Sequence, residues 1–375
     1  MLVKRQRILI ILAWLSLLII LCSFIVWQLD TAKIVLAPLN PSPNDQLDFP
    51  SKSEPAFQPN SPDFSTIFAD DHSWTATLSA DLTTTVLVTG DVLLAREVNY
   101  QSINRQDWHW PFLKTADVLR QADITVVNLE TPLIANCPPM RDRMVFCGDP
   151  NHAATLGWAG VDVASLANNH ALNQGPAGVT ETVELLDSAG VQTTGLLGKP
   201  TVIERNGITF TFLGYTDLGA TQNMINPADM AQLKMDIAQA KQNSDVVIPF
   251  FHWGEEYTYH PTARQRELAQ AAVTAGADLV IGNHAHWYQE LEFFEDTLIM
   301  YSHGNFVFDQ MWSTETRQGL AGRYTFYENK LIDAEFLPVL IEDYGQPYFL
   351  TGDAKQERLK HLEQISQIGD QLTDD

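Results

Sequence analysis

A regular succession of short apolar runs and amphipathic stretches predicts an α/β body for this chain. Three observations carry that expectation. First, five runs of strand length each end on side chains able to bind a metal or move a proton. Thr84–Thr89 leads into Gly90-Asp91, Ile124–Asn128 into Leu129-Glu130, Val161–Ala167 into Asn168-Asn169-His170, Asp245–Phe251 into His252, and Asp278–Ile281 into Gly282-Asn283-His284-Ala285-His286. Second, stretches of helical spacing lie between these runs. Third, after Tyr288 strand-like runs follow one another with few helices between them. In open α/β sheets ligands gather at the carboxyl ends of the strands, so five such endings predict a site on one rim of one sheet.

The elements follow in order from the N-terminus. Ile8–Trp27 holds no charged residue, and about twenty apolar residues cross the hydrocarbon core as a helix. Residues 8–28 are therefore expected to form a transmembrane anchor. Lys4, Arg5 and Arg7 precede it, which by the positive-inside rule puts residues 1–7 in the cytoplasm and everything after Asp30 outside. The expectation is a single-pass protein of the cytoplasmic membrane with an extracytoplasmic body. The apolar run is longer than a signal-peptide core and has no clear small-x-small cleavage site. Cys22 follows Leu21 rather than Gly or Ala, which argues against a lipoprotein.

Residues 29–83 carry prolines at 38, 41, 43, 50, 55, 59 and 62, which block helix and ladder pairing alike. The stretch reads as an extended linker, with Phe49, Phe57 and Phe64 available to dock on the body. The body is expected over residues 84–350. Gly178–Ala189 puts Val179, Val183 and Leu186 on one helical face, with Gly190 as a stop. Asn226–Lys241 opens Asn-Pro-Ala-Asp, a cap with Pro at the first helical position. Thr262–Ala275 spaces Leu268, Ala271 or Ala272, and Ala275 helically before Gly276. Leu291–Phe294, Leu298–Tyr301, Gly322–Tyr327, Leu331–Pro338 and Tyr348–Leu350 predict a second, more antiparallel sheet. In the tail, residues 351–375, an apolar edge of Leu359, Leu362, Ile365 and Ile368 predicts an amphipathic helix that packs on the body or on a partner.

Composition narrows the partners. The 375 residues are 45% hydrophobic and 18% charged, with 46 acidic against 23 basic residues and a formal net charge of −23. That balance excludes nucleic acid as the expected partner, and an anionic substrate would need local positive charge, which metal ions supply. Of three cysteines, Cys137 and Cys147 bracket a short loop, which in an exported domain reads as a disulfide. Two unrelated thiols are the alternative. A zinc pair is disfavoured because no second pair of ligands stands nearby at the right spacing.

Two divalent cations held close together need carboxylate, imidazole and amide donors, with one carboxylate shared. Asp91 and Glu130 offer carboxylates, Asn169 an amide oxygen, and His252, His284 and His286 imidazoles. In extended geometry His284 and His286 point the same way, so each can serve one ion. His170 points away from its neighbour Asn169 and suits a general acid.

Six segments in this order resemble the CapA family of capsule and poly-γ-glutamate synthesis proteins, whose domain is similar to calcineurin-like metallophosphoesterases. They are Gly90–Arg96, Val127–Pro132, Leu166–His170, His252–Tyr257, Gly282–His286 and Tyr301–Gln310, and the resemblance covers about Val86 to Gln310. It implies a four-layer α-β-β-α sandwich of metallophosphoesterase type and exposure outside the cytoplasmic membrane. It also implies roles: Asp91 and His286 on metal one, Glu130 as the bridge in place of an aspartate, Asn169, His252 and His284 on metal two, and His170 as the acid. The two ions would be manganese, iron or zinc. The sequence departs from the phosphoesterase pattern at Leu93, where an imidazole of the first motif is expected, and this leaves metal one a donor short. Asn173, Ala285 and His303 also replace more usual family residues.

Around this set Arg96, Asn168, Glu255, Asn305 and Asp309 are candidates for orienting ligands or meeting substrate, each with a surface or structural role as the alternative; Glu256 stands beside Glu255 in the same position. The function this predicts is a metal-dependent hydrolase acting on a surface polymer or with its synthesis machinery. The alternatives are a non-catalytic assembly or export factor, favoured by Leu93, and an exported broad-specificity phosphodiesterase.

Overall fold

The computed structural model describes residues 60–373, with side chains as far as Gln367. The anchor expected over residues 8–28, Cys22, most of the linker and the Ile368 side chain lie outside the described residues. Among the described residues no helix is long and apolar enough to cross a membrane.

Among the described residues fourteen strands form two mixed sheets. The larger is built from β1 (Thr83–Val92), β2 (Ile124–Leu129), β3 (Val163–Ser165), β4 (Gln192–Thr194), β11 (Asn305–Val307), β12 (Gln318–Tyr327), β13 (Lys330–Glu342) and β14 (Gln346–Phe349). Its order is β14-β13-β12-β1-β2-β3-β4, with β11 also paired to β1. The smaller contains β5 (Thr201–Arg205), β6 (Ile208–Thr216), β7 (Val246–His252), β8 (Val280–Asn283), β9 (Leu291–Phe294) and β10 (Thr297–Met300), in the order β5-β6-β7-β8-β10-β9. The strands that carry the predicted site residues run parallel: β1, β2, β3 and β11 in one sheet, β7 and β8 in the other.

The helices are α1 (Phe64–Ile67), α2 (Arg96–Arg105), α3 (Ala116–Leu119), α4 (Asn151–Ala159), α5 (Gly175–Ser188), α6 (Met230–Lys241), α7 (Ala263–Thr274) and α8 (Gly352–Thr373). Successive strand side chains point to opposite faces, and here both faces are buried, which is why the strands read as continuous apolar runs. Val86, Val88, Ile124 and Val126 face inward against Phe210, Phe212, Ile248 and Phe250 of the other sheet. Leu87 and Val127 face outward, against Leu156 of α4 and Val179 and Leu186 of α5. Val247 and Phe251 pack outward against Leu233 and Ile237 of α6 and Leu268 and Ala272 of α7. Two sheets thus lie face to face with helices on both outer surfaces.

Several expectations need correction. The strands after Tyr288 do not make a sheet of their own. β9 and β10 extend the smaller sheet, while β11 to β14 extend the larger one past β1. Hydrophobic alternation specifies a strand and its buried face but not its neighbour, and both sheets had an open edge to fill. The helix expected from Asn226 starts at Met230: Asp229 is the cap, accepting from Ala231 N (3.1 Å) and Gln232 N (2.9 Å), while Pro227 is held in a bridge to Thr216. Residues 60–82, read as linker, include α1, capped by Asp63, and a 3₁₀ turn at Ser73–Thr77. Phe64 sets its ring edge-on to Phe293 at 5.3 Å, and Ile67 is buried in the core between the sheets. Of the two places expected for the tail helix, the body or a partner, α8 takes the body, with Leu362 and Ile365 in that same core.

Candidate metal centre

All five predicted strand endings converge, but not on the rim of a single sheet. Asp91, Glu130 and Asn169-His170 leave β1, β2 and β3 of the larger sheet, whereas His252 and His284–His286 leave β7 and β8 of the smaller. The site lies where the carboxyl ends of two facing sheets meet. A close approach at Gly90 helps build it: β1 runs so near the chain at Gly304 that a Cβ on Gly90 would lie 2.1 Å from the Gly304 carbonyl oxygen, and Asp91 N donates to that oxygen at 2.8 Å. Asp91 thereby sits in register with Asn305 of β11.

Asn128, which the sequence reading left as an ordinary strand residue, lies at the middle of the centre. Its Nδ2 faces Asp91 Oδ1 (2.8 Å), Glu130 Oε1 (3.2 Å) and His252 Nδ1 (3.2 Å). His252 Nε2 lies 3.0 Å from Asn169 Oδ1 and 3.1 Å from His284 Nδ1. Glu130 Oε1 is 3.8 Å from the same His252 Nε2. Asp91 Oδ2 accepts from His284 N (3.3 Å) and lies 3.1 Å from His286 Nδ1. Two adjoining donor groups result: Asp91, Glu130 and His286, whose ligand atoms all lie within 4.8 Å of one another, and Asn169, His252 and His284. The two histidines of His-Ala-His are not extended as expected. His284 has φ +97° and His286 φ +57°, a turn whose strain is typical of functional sites and which brings the rings to 5.8 Å.

Burial sets the protonation of these groups. It holds His284 down at about 4, with the neighbouring His286 ring adding to the effect. His252 is pushed well below the ordinary imidazole value by burial and then by His284 and His286. Both rings are therefore neutral at pH 7 and have lone pairs to offer. Glu130 goes the other way: burial and then the Asp91 charge push its carboxyl well above the usual range.

These residues fit a divalent metal. Glu130 Oε2 is buried and has no hydrogen-bond partner, an arrangement that costs free energy unless a proton or a cation meets it. Two carboxylates share the Asn128 amide, and the nearby guanidinium of Arg96 is already paired with Asp309. Carboxylate, amide and neutral imidazole donors suit manganese, iron or zinc. Asn305 adds a feature characteristic of such sites. Its Nδ2 donates to Gln310 Oε1 (3.1 Å) and Thr316 O (2.9 Å), so its Oδ1 must accept from His286 Nδ1 (2.9 Å). That orients the ring and sets its Nδ1 proton toward Asn305.

Around the donors the other candidates take distinct places. Asn168 is a brace: Nδ2 donates to Leu129 O (2.8 Å) and Asn128 Oδ1 (3.3 Å), and Oδ1 accepts from His170 N (3.1 Å). Arg96 ion-pairs with Asp309 and lies over the Phe146 and Phe308 rings at 5.0 and 5.8 Å. Glu255 is exposed; it is Glu256 whose carboxylate groups with His284 and His286. His170 stacks on Phe146 at 3.9 Å, and burial lowers it to about 4. Asn173 Oδ1 accepts from Phe146 N (2.6 Å), so at 3.1 Å it also accepts from His170 Nδ1, leaving His170 Nε2 with the lone pair. His170 must gain a proton before it can give one. Cys137 and Cys147 are joined in a disulfide that closes the loop ending beside Phe146. His303, a buried core residue, contacts Tyr324 OH at 3.0 Å. Arg143 on the disulfide loop is exposed, and Arg141 pairs with Glu97.

The sequence profile of the bacterial capsule synthesis protein family PGA_cap matches residues 85–310, the segment that holds every donor above. The chain belongs to that family. Among PGA_cap relatives, the chain is 31% identical over 270 residues to the PGA biosynthesis protein CapA of Bacillus subtilis, covering 68% of this chain and 70% of that one. It is 29% identical over 296 residues to the capsule biosynthesis protein CapA of Bacillus anthracis, covering 73% of this chain and 71% of that one. A Mycobacterium tuberculosis protein described as a probable polyglutamine synthesis accessory protein is 27% identical over 266 residues, 64% of this chain and 68% of that one. Among solved structures, a phosphatase of Mycoplasma pneumoniae superposes with a TM-score of 0.48 at 16% identity, over 70% of this chain and 95% of that one.

Asn128 is not among the candidates the sequence of this PGA_cap domain offers, and for Asn173 and Glu256, which are named among them, the sequence does not foretell the hydrogen bond to His170 or the place in a ligand group. One signal was available for the first. Asn128 and Glu130 are two apart at a strand end, so they share a face. Asn173 and Glu256 lie on turns and reach the centre only through contacts made by other segments.

Proposed function

We propose that this protein is a membrane-anchored, extracytoplasmic member of the CapA group whose body is a metal-dependent hydrolase acting in the assembly of a capsule or poly-γ-glutamate-like surface polymer. The observation that carries the hydrolase reading is the convergence of Asp91, Glu130, Asn169, His252, His284 and His286 around a buried carboxylate oxygen without a partner. Polymer biology is supported by the names of the relatives. The anchored, outward-facing arrangement is supported by the uncharged run Ile8–Trp27 behind Lys4, Arg5 and Arg7, and by the Cys137–Cys147 disulfide.

These six residues would hold divalent cations, which when bound would supply Lewis acidity toward a phosphoryl or acyl oxygen and would lower the pKa of a water toward neutrality. The chain's own residues do the rest. Asn128 and Asn305 hold Asp91, Glu130 and His286 in place. Asn173 and Phe146 fix the His170 ring with Nε2 carrying the lone pair, so His170 takes the proton given up by the attacking water there and passes it to the leaving oxygen. Phe308, beside His286 at 4.7 Å between ring centres, limits water on that side.

The test is metal analysis of the purified protein joined to hydrolysis of a panel of phosphodiester and amide substrates. Bound Mn²⁺, Fe²⁺ or Zn²⁺ and an activity abolished by His284→Ala are expected; a protein that holds no such ion, and on which His284→Ala has no effect, rules the hydrolase out. A non-catalytic assembly role is favoured by Leu93, whose side chain packs in an apolar cluster instead of offering an imidazole. Restoration of surface polymer by an Asp91→Ala, His170→Ala protein in a deletion strain would select that second reading. Protease accessibility of the body on intact cells checks the orientation.

A further inference from the structure

The first donor group is short of ligands. Asp91, Glu130 and His286 make three, where a divalent ion with oxygen and nitrogen ligands takes four to six. Leu93 cannot supply another. It is fully buried among Ala95, Phe146, Phe308 and Ile341, and its backbone N donates to Val307 O at 2.7 Å, so this position is committed to the apolar core.

A carboxylate from a different element stands beside one of these three, His286. Ligand atoms of Glu256, His284 and His286 all lie within 4.8 Å of one another. Two ligands at about 2.0–2.2 Å from one ion stand no more than about 4.4 Å apart, so only a small closure of a long side chain separates this group from a coordination shell. We propose that Glu256 is a metal ligand of the centre: it stands with His284 and His286, one histidine from each donor group, and through His286 it adjoins the ion site that Leu93 leaves one donor short. The proposal rests on the reading of the site as a metal centre.

The backbone delivers Glu256 there. Gly254 at φ +85° and Tyr257 at φ +64° turn the chain sharply after β7. A Cβ at Gly254 would lie 2.2 Å from Gln265 Oε1, so that side chain would have to shift, and the positive φ itself favours glycine there. Tyr257 N donates to Ala285 O at 2.8 Å, which ties the loop to the residue between the two histidines. Gln310 Nε2 donates to Tyr257 OH at 3.2 Å, and Gln310 is held by the same Asn305 that orients His286. One network therefore sets both the imidazole and the loop that carries the carboxylate. Glu255, one residue earlier, is exposed and belongs to no ligand group among the described residues, which makes it the natural control.

The experiment titrates the full-length protein in detergent, stripped of metal, with Co²⁺ and Mn²⁺, measuring stoichiometry by equilibrium dialysis and ligand environment by the visible Co²⁺ spectrum. Glu256→Gln is expected to weaken one site by more than about tenfold, the scale on which even outer partners of a ligand act. Its melting temperature in EDTA should match the wild type, because the side chain is exposed. Glu255→Gln should behave as wild type. Glu256→His should restore the weakened site with a shifted Co²⁺ spectrum, since an imidazole replaces a carboxylate in the shell. Unchanged affinities and an unchanged spectrum in Glu256→Gln overturn the proposal while leaving the metal centre standing. Weakening that Glu256→His does not restore also overturns it, and marks Glu256 as a positioning residue. A wild-type protein that binds neither ion overturns this proposal and the metal-centre reading together.

Discussion

Replacing Glu130 by Gln is expected to invert the order of stabilities between metal-free and metal-loaded protein. Without metal, Glu130 is fully buried, Oε2 has no partner, and Oε1 shares the Asn128 amide with Asp91. Its carboxyl is pushed well above the ordinary range by burial and by Asp91. A folded pKa above the unfolded one means that the native state holds the extra proton. Stability is therefore lost as pH rises from the ordinary carboxylate range through the folded pKa. Gln keeps the shape and cannot ionise. Leaving one such group uncompensated costs about 1–3 kcal/mol, and about 2 °C in Tm accompanies each kcal/mol in a body of this size. In EDTA at pH 8 the variant should melt about 2–6 °C above wild type, with the gap closing toward pH 5. An ion at one hundred times its Kd adds about 2.7 kcal/mol per site, and Glu130 is the donor expected to touch both ions. In saturating Mn²⁺ the wild type should therefore melt higher than the variant. Calorimetry of both proteins, with EDTA and with Mn²⁺ at pH 5 and pH 8, provides the comparison. A variant less stable than wild type in EDTA at pH 8 would refute the argument that this carboxylate is uncompensated without a cation.

Three further outcomes are expected. Asn128→Ala, which removes the amide shared by Asp91, Glu130 and His252, should weaken metal binding about 10–100-fold by isothermal titration without removing any ligand; unchanged affinity would show the amide to be dispensable. In the Glu130→Gln background, metal-free stability in urea should fall as pH drops from about 6.5 to 4, because His170, His252 and His284 have folded values below the unfolded one and stabilise only while neutral; a flat profile contradicts their burial as neutral rings. Cys137→Ser with Cys147→Ser should cost about 3 kcal/mol for a loop of this length, and should lower turnover more than metal affinity, because Phe146, next to Cys147, packs on His170 and not on the metal donors.

Much of this protein was legible without coordinates because the information is local. A strand buried on both faces must be apolar throughout, so a polar residue at its carboxyl end stands out, and Asp91, Glu130, Asn169, His252, His284 and His286 were found in that way. The Cys137–Cys147 pair and the helix before Gly276 were readable for the same reason, since each depends on residues close in the chain. What needed the folded molecule depends on contacts between distant segments. Pairing partners are not encoded in a strand's own pattern, so β9 to β14 could not be shared out between two sheets in advance. The same holds for Asn128 as the common donor, for Asn173 fixing the tautomer of His170, and for Glu256 standing beside two histidines. Chain pattern sets which groups are present and which face they take. Their protonation and partnership come from desolvation and distance, and those exist only once the two sheets have closed on each other.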